Sequence, residues 1–378
     1  MASRLTRRAV IGALAALPTG FHVAHASGRD QALRRLLREK RLAHRIPGLA
    51  AAVVRGSAIR AAAVDGVRRS GARDPIRLGD RFHIASCTKS MTATWAAIAV
   101  ERRLLDWSSA LADVVPELRR TMRAEYRAAT LEQLLAHAAR MPSYTQPSTQ
   151  RVAWMHGLAG SPVEQRLTFL RDVLASEAPN DASGDGAYSN VGYVAASAML
   201  ERVTGIGWEE AIRRELAAPL GLHSLGFGYP ARPSRPAQPR GHARVDGRIQ
   251  VLPFDARRDL PRCLWPAGAV HLSITDLARY ARDHLNGLTG RRALLPARQY
   301  ARLHTPLPGS SSVFTLGWGR REDDRLGRLH FGSGSGGWFF VRIWIASGRD
   351  AAVVTASNSG EAAAATRELS ERLLTGLV

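Results

Sequence analysis

Lys89 stands three residues after a serine in Ser86-Cys87-Thr88-Lys89, and it is one of two lysines in the chain. Lysine and arginine together number 53, so setting aside Lys40 and Lys89 leaves 51 arginines. A chain that writes its cations as Arg, yet writes Lys here, calls for a property Arg lacks. Burial or a neighbouring cation can strip the proton from a lysine but not from a guanidinium. A neutral amine one helical turn from a hydroxyl can activate that oxygen as a nucleophile. The first chemistry on offer is therefore acyl transfer at Ser86.

Two further motifs carry groups of matching chemistry. In Tyr188-Ser189-Asn190 the first and third side chains share a direction if the segment is extended. Beside a lysine ammonium the Tyr188 phenolate becomes more accessible, and it can accept and return a proton. Asn190 can bond both Lys89 and a substrate carbonyl; read alone, the triplet is equally a helix start with a local cap. In His330-Phe331-Gly332, followed by Ser333-Gly334-Ser335-Gly336-Gly337, His330 and Gly332 share a strand face. Gly332 would let a substrate approach the backbone. The N–H of Ser333 could join that of Ser86 as an oxyanion hole. The bland alternative is a glycine-rich hairpin with an incidental histidine. The same glycines fit G-x-G-x-x-G, but Trp338-Phe339-Phe340 reads as strand where a dinucleotide site needs a helix. No serine sits in G-x-S-x-G, so the nucleophile elbow of an α/β-hydrolase is missing.

The elements that must position these groups follow from periodicity. Asp30 to Ala43 has a helical pattern, and Leu49 to Val54 with Ala58 to Val64 read as a hairpin. Thr88 to Leu105, Leu131 to His137, Tyr193 to Val203, Trp208 to Ala217 and Ser273 to Leu285 read as helices. Phe314 to Gly319, Arg328 to Phe331, Trp338 to Ala346 and Ala351 to Ser357 read as late strands, with a closing helix from Glu361 to Leu374. Late hairpins without crossover helices imply antiparallel pairing. The expected division is a sheet lobe from 27–80 plus 300–378 and a mainly helical lobe over 81–299. Ser86 then falls near the lobe boundary, where clefts form.

Composition narrows the class. Thr6-Arg7-Arg8-Ala9-Val10-Ile11, an apolar run to Leu17 and Ala24-His25-Ala26 read as a twin-arginine export signal over 1–26. That run is too short to span a bilayer, and no transmembrane span is expected. The expected location is periplasmic or extracellular. The formal charge of +21 could indicate nucleic acid, but the arginines are scattered and no nucleic-acid motif accompanies them. No nucleic-acid partner is expected. Cys87 and Cys263 form neither a disulfide framework nor a metal site, although a bridge between them stays open. The histidines show no metal-binding spacing, so no metal and no cofactor are expected.

Ser86-x-x-Lys89, Tyr188-x-Asn190 and His330-x-Gly332, in this order, resemble the serine β-lactamase and penicillin-binding-protein superfamily. The likeness is to class C β-lactamase-related hydrolases, which include D,D-carboxypeptidases, D-aminopeptidases and esterases. Thr130 to His137, Val203-Thr204-Gly205, Pro219 to Leu222, Ser273 to Arg279 and Leu316-Gly317-Trp318 extend it over nearly all of the chain after the signal. The resemblance implies an α+β, β-lactamase/transpeptidase-like fold: a helix-flanked antiparallel sheet beside an all-helical lobe, with catalysis between them. It implies Ser86 as nucleophile, Lys89 and Tyr188 as the proton-transfer pair, Asn190 on the substrate and His330 facing the cleft, with no cofactor. The substrate would be a small molecule or derive from peptidoglycan. An esterase or D-amino-acid peptidase is the expectation; a true β-lactamase and a non-catalytic peptidoglycan-binding relative are the alternatives.

Three departures bear on specificity. His330 stands where class C β-lactamases carry Lys, and a neutral imidazole holds a carboxylate less firmly. The family's His-Thr-Ser-Gly-Leu is here His137-Ala138-Ala139-Arg140-Met141, and its Pro-Gly before the Tyr motif is Ala182-Ser183-Gly184-Asp185-Gly186.

Ser86→Ala is expected to abolish acylation, and Lys89→Arg to slow it by ~10²–10⁴-fold although the charge is kept. Ester hydrolysis and fluorophosphonate labelling measure both. A Lys89→Arg protein with most of its activity would end the neutral-amine reading.

Overall fold

The computed structural model describes residues 27–182, 188–255 and 259–376. The export-signal reading and most of the Ala182–Gly186 departure lie outside these residues.

Six strands form the main antiparallel sheet: β1 (Gly48–Arg55), β2 (Ala58–Gly66), β8 (Gly319–Asp323), β9 (Gly327–Ser335), β10 (Phe340–Ala346) and β11 (Ala351–Ser357). Their order across it is β2-β1-β11-β10-β9-β8. β1 and β11 are almost wholly buried. Their near-continuous apolar sequence reflects a sheet covered on both faces. Leu49, Ala51 and Val53 point to one core with Val353 and Trp344, and Ala50, Ala52 and Val54 to the other with Val354 and Ile343. That alternation is the two-residue period of a strand.

Among helices of eight or more residues, α1 (Gly28–Ala43) and α7 (Ala363–Leu374) cover the first face through Leu33, Leu37, Leu369 and Leu373. α1 starts at a capping box in which Ser27 and Asp30 satisfy each other's backbone N–H. α6 (Ile274–Leu288), capped by the Ser273 hydroxyl, covers the second face against β1, β10 and β11. By position it falls in the expected helical segment 81–299, but its strongly one-sided apolar stripe seats it on the sheet.

The helical layer centres on α2 (Thr88–Glu101), buried on every side through Ala99. Against it lie α5 (Val191–Thr204) and the turn Trp265–Gly268; α4 (Pro162–Ser176) packs on α5, and α3 (Thr149–His156) and α4 both meet the turn Arg262–Leu264. α3 and α4, capped by Ser148 and Ser161, are absent from the sequence-based expectation. Trp208–Ala211 runs on into a π-helical turn, Ile212–Ala217. A second sheet joins β3 (Arg81–His83), β4 (Gly226–Phe227) and β7 (Val270–Ser273), with β7 in the middle; β5 (His242–Val245) and β6 (Arg248–Val251) form a separate hairpin. β3 leads directly into Ser86.

Two boundaries differ from expectation for local reasons. The expected strand Phe314–Gly319 is not formed, and β8 begins only at Gly319. Gly317 turns the chain there with φ +84, where an added Cβ would lie 2.6 Å from the Ala93 Cβ. α2 ends at Glu101 because Arg103 takes a left-handed conformation, φ +59.

Fully buried Arg166 ties α4 to α5 through Glu201 at 2.5 Å and to the Trp208–Ala211 turn through Glu209 at 3.0 Å. Arg166→Met leaves buried carboxylate charge unpaired, and a loss of about 3–5 kcal/mol is expected. The shift in the urea unfolding midpoint measures it.

Candidate active site

Ser86 sits in the one-turn 3₁₀ segment Ala85–Cys87 that opens α2. Ala85 holds φ +44, a conformation that costs an L-residue about 1–2 kcal/mol. Ile84 closes the other side by donating its N–H to the Val270 carbonyl at 2.9 Å. The turn therefore hangs between β7 and α2.

Lys89, one helical turn on, is 3 % exposed. Its Nζ lies 2.7 Å from Asn190 Oδ1, 2.8 Å from the Ala267 carbonyl oxygen and 3.4 Å from Ser86 Oγ. Among the described residues no carboxylate pairs with it. Burial pushes its amine from an ordinary 10.5 down to about 7, the neighbouring Cys87 acting weakly the other way. A neutral amine has two N–H groups and one lone pair. Asn190 Oδ1 and Ala267 O can only accept, so they take both N–H groups. The third direction, toward Ser86 Oγ, is left for the lone pair.

The Tyr188 phenol is close enough to the Ser86 side chain for that contact to oppose the effect of burial on its proton. The Tyr188 ring centre is 4.7 Å from Lys89 Nζ and stacks within 4.2 Å of His137. Burial raises the Tyr188 phenol well above its usual range, with the Ser86 contact opposing. Burial thus works against the accessible phenolate that the sequence suggested, since it raises the phenol and lowers the amine beside it. Asn190 donates one Nδ2–H to the Tyr144 carbonyl at 2.8 Å. Its second N–H remains for a ligand.

His137 and Arg140 adopt φ +58 and +53, so Arg140 stands in the left-handed region at the position where the resembled motif has glycine. His137 Nδ1 accepts the Ser189 N–H at 3.0 Å, and Ser189 Oγ donates to the Pro142 carbonyl at 2.6 Å. These bonds fix the segment that carries Tyr188 and Asn190.

The third motif is placed differently from expectation. β9 pairs with β8 only as far as Phe331, so beyond it one side of the strand is open to the Ser86 turn. The glycine against that turn is Gly334. A Cβ there would lie 2.0 Å from the Ile84 carbonyl oxygen and 3.0 Å from the Ser86 nitrogen. Gly332 instead faces Cys87 and Trp318, and Ser333 points away as an exposed residue. His330, four residues before Gly334, is displaced by about 13 Å along the strand. It is buried with its ring 4.6 Å from His304, and it does not line the cavity over Ser86. Burial, with Arg320 and Arg328 adding, lowers its pKa to about 4. The correction is a register one: the glycine-serine run offers several alignments, and contact with Ser86 selects Gly334 and the following Ser335.

The cavity over Ser86, about 520 Å³, is lined by Asn190, Ser335, Gly336, Met155 and Leu264 among others. Asp259 borders it, and no Lys or Arg does among the described residues. Sequence reasoning missed the carbonyls of Ala267 and Tyr144, because backbone acceptors leave no mark in residue type. Cys87 and Cys263 are both free, buried thiols, so the bridge left open is not made.

The antiparallel sheet, the helical layer and the nucleophile turn between them define an α+β, β-lactamase/transpeptidase-like protein. The sequence matches the Beta-lactamase family over residues 33–376, and the chain belongs to that family. Penicillin-binding protein 4 of Amycolatopsis lactamdurans is 28% identical over 365 residues, covering 94% of this chain and 90% of that protein. Monacolin J acid methylbutanoyltransferase of Aspergillus terreus is 25% identical over 199 residues, 47% of this chain and 46% of that one. A class C beta-lactamase superposes with a TM-score of 0.74 at 17% identity, covering 94% of this chain and 99% of that one.

The amine must be neutral to act. Acylation is expected to rise tenfold per pH unit up to about pH 7, where Lys89 loses its proton, and to level off above it. The pH profile of the fluorophosphonate labelling rate measures this, and a profile flat from pH 5 to 9 would contradict it.

Proposed function

We propose that this protein is a serine hydrolase that forms an acyl-enzyme on Ser86 and acts on esters or neutral amides. The observation that carries the proposal is the buried Lys89 amine, with two acceptors on its N–H groups and Ser86 Oγ in its third direction. Ser86 Oγ attacks the substrate carbonyl carbon while its proton passes to Lys89. The N–H groups of Ser86 and Ser335 hold the oxyanion. Tyr188 gives its proton to the leaving oxygen or nitrogen as that bond breaks, and Lys89 restores it. Water then attacks the acyl-enzyme along the reverse proton path and returns Ser86 to its hydroxyl form. The free N–H of Asn190 orients the substrate carbonyl. Each oxyanion donor supplies on the order of 10²–10³-fold.

Ester or neutral-amide chemistry is favoured over β-lactam or D-Ala-D-Ala cleavage by the charge of the cavity. Those substrates carry a carboxylate, and a buried carboxylate needs a cationic partner. Among the described residues the lining carries no lysine or arginine, its Asp259 already faces Arg232 at 3.6 Å, and β9 presents glycine and serine where a fixed positive charge would serve. The methylbutanoyltransferase, a relative over about half of the chain, is by name a carrier of an acyl group, which supports acyl transfer on this scaffold. The twin-arginine motif supports export to the periplasm or beyond. No described helix is long and apolar enough to cross a bilayer.

A panel of p-nitrophenyl esters, nitrocefin and D-Ala-D-Ala peptides tests the assignment. Short-chain esters are expected to exceed both carboxylate-bearing substrates by at least about tenfold in kcat/KM, about 1.4 kcal/mol. Faster nitrocefin hydrolysis would make the protein a β-lactamase, and no covalent labelling at Ser86 would make it a non-catalytic relative.

A further inference from the structure

Behind the nucleophile turn runs a line of buried hydroxyls and imidazoles that no step above uses. Ser90 Oγ donates to the Cys87 carbonyl at 2.8 Å, inside the turn itself. Tyr280 of α6 donates its O–H to Ser90 Oγ at 3.1 Å. Thr94 Oγ1 donates to the Ser90 carbonyl at 2.9 Å and lies 3.0 Å from the Tyr280 hydroxyl. His284 Nε2 is 3.2 Å from Thr94 Oγ1, and His284 Nδ1 is 3.0 Å from His304 Nε2. Tyr280, Thr94 and His284 are fully buried, and His304 is 1 % exposed.

Counting donors gives the line a direction. The Thr94 hydroxyl proton is engaged at the Ser90 carbonyl, so the proton between Thr94 and His284 comes from His284 Nε2. A neutral imidazole has one N–H, so His284 Nδ1 must accept, and His304 Nε2 must donate to it. His304 Nδ1 is then a bare acceptor, and it is buried without a partner. Burial keeps both rings neutral: it lowers His284 to about 3, and His304 well below its ordinary value. Two branches therefore meet at Ser90: His304, His284 and Thr94 lead to its carbonyl, and Tyr280 holds the hydroxyl that bonds the Cys87 carbonyl.

The turn needs this support. Cys87, which caps α2, makes no side-chain capping bond, and Ala85 before Ser86 is held at φ +44. The contact between Ser86 Oγ and Lys89 Nζ, at 3.4 Å, is the longest of the three that Lys89 makes. A small rotation of the turn therefore acts on the one distance the chemistry uses. We propose that Tyr280, Thr94, His284 and His304 are positioning residues that hold the Ser86 turn through Ser90, none of them touching substrate. The inference rests on Ser86 being the nucleophile.

The test compares wild type with Tyr280→Phe, His304→Leu and His304→Gln in the full-length protein. Steady-state ester kinetics, fluorophosphonate labelling rates and urea unfolding are measured for each. Tyr280→Phe is expected to lower kcat and the labelling rate on the order of 10- to 100-fold, the scale of a misplaced reacting group, with KM within about twofold. His304→Leu is expected to fall in the same direction. His304→Gln, which keeps an N–H donor at that position, is expected to recover most of the rate. Labelling of Tyr280→Phe at the wild-type rate would overturn the inference while leaving the nucleophile in place. So would rate losses that track unfolding midpoints, with Gln no better than Leu at residue 304. A wild-type protein that is not labelled at Ser86 would overturn both readings.

Discussion

The structure around Ser86 depends on one constraint: a single amine is enclosed with acceptors and without an acid. Lys89 has the Asn190 amide oxygen and the Ala267 carbonyl as partners, and no carboxylate within the described structure. An acid in either position would hold the proton on the amine and leave it no free lone pair. Amide and carbonyl acceptors instead satisfy two N–H groups and leave desolvation to set the protonation state. Arginine cannot occupy this role, which explains why an arginine-rich chain keeps a lysine here.

The fold supplies the enclosure. α2 is buried on every side because α5, the Trp265–Gly268 turn, the π-helical turn Ile212–Ala217 and the helix Ala297–Leu303 pack around it, while Tyr280 and His284 of α6 reach its hydroxyls. Ala267 is presented by that turn, Asn190 by the start of α5, and the open stretch of β9 by the end of its pairing with β8. Three elements far apart in sequence thus meet at one buried nitrogen and the adjacent oxygen. Tight glycine contacts set how near they come. Gly334 admits the Ser86 turn to β9, and Gly317 admits the Leu316–Trp318 bend to α2.

Much of this is legible in the chain. The apolar runs of Leu49 to Val54 and Ala351 to Ser357 mark the central strands, and Ser273 announces α6. The Ser86-x-x-Lys89 spacing and Tyr188-x-Asn190 name side chains that the fold does bring together. Legibility fails where residue type is uninformative. The run from Gly332 to Gly337 reads equally well in several registers, so the motif points His330 at the cleft although it packs against His304. The protonation of Tyr188 escapes a reading by neighbours in sequence, because desolvation is a property of the surroundings. α3 is short and its apolar positions are sparse, whereas α4 is legible in the chain from the Ser161-Pro162-Val163-Glu164 start and from Val163, Leu167, Leu170, Val173 and Leu174 at helical spacing. Their stability comes from packing Met155, Phe169, Leu170 and Val173 into the shared core.

The sequence by itself determined which groups could react, since only a serine, a lysine and a phenol at these spacings offer a nucleophile with a titratable partner. Spacing along one helix turn is a covalent property, so the Ser86–Lys89 pairing needed no tertiary information. Tertiary structure decided which carbonyls bind the amine, which glycine meets the nucleophile and whether the amine is neutral. Those depend on the exclusion of water and on contacts between segments 101 and 178 residues apart, which no local pattern encodes.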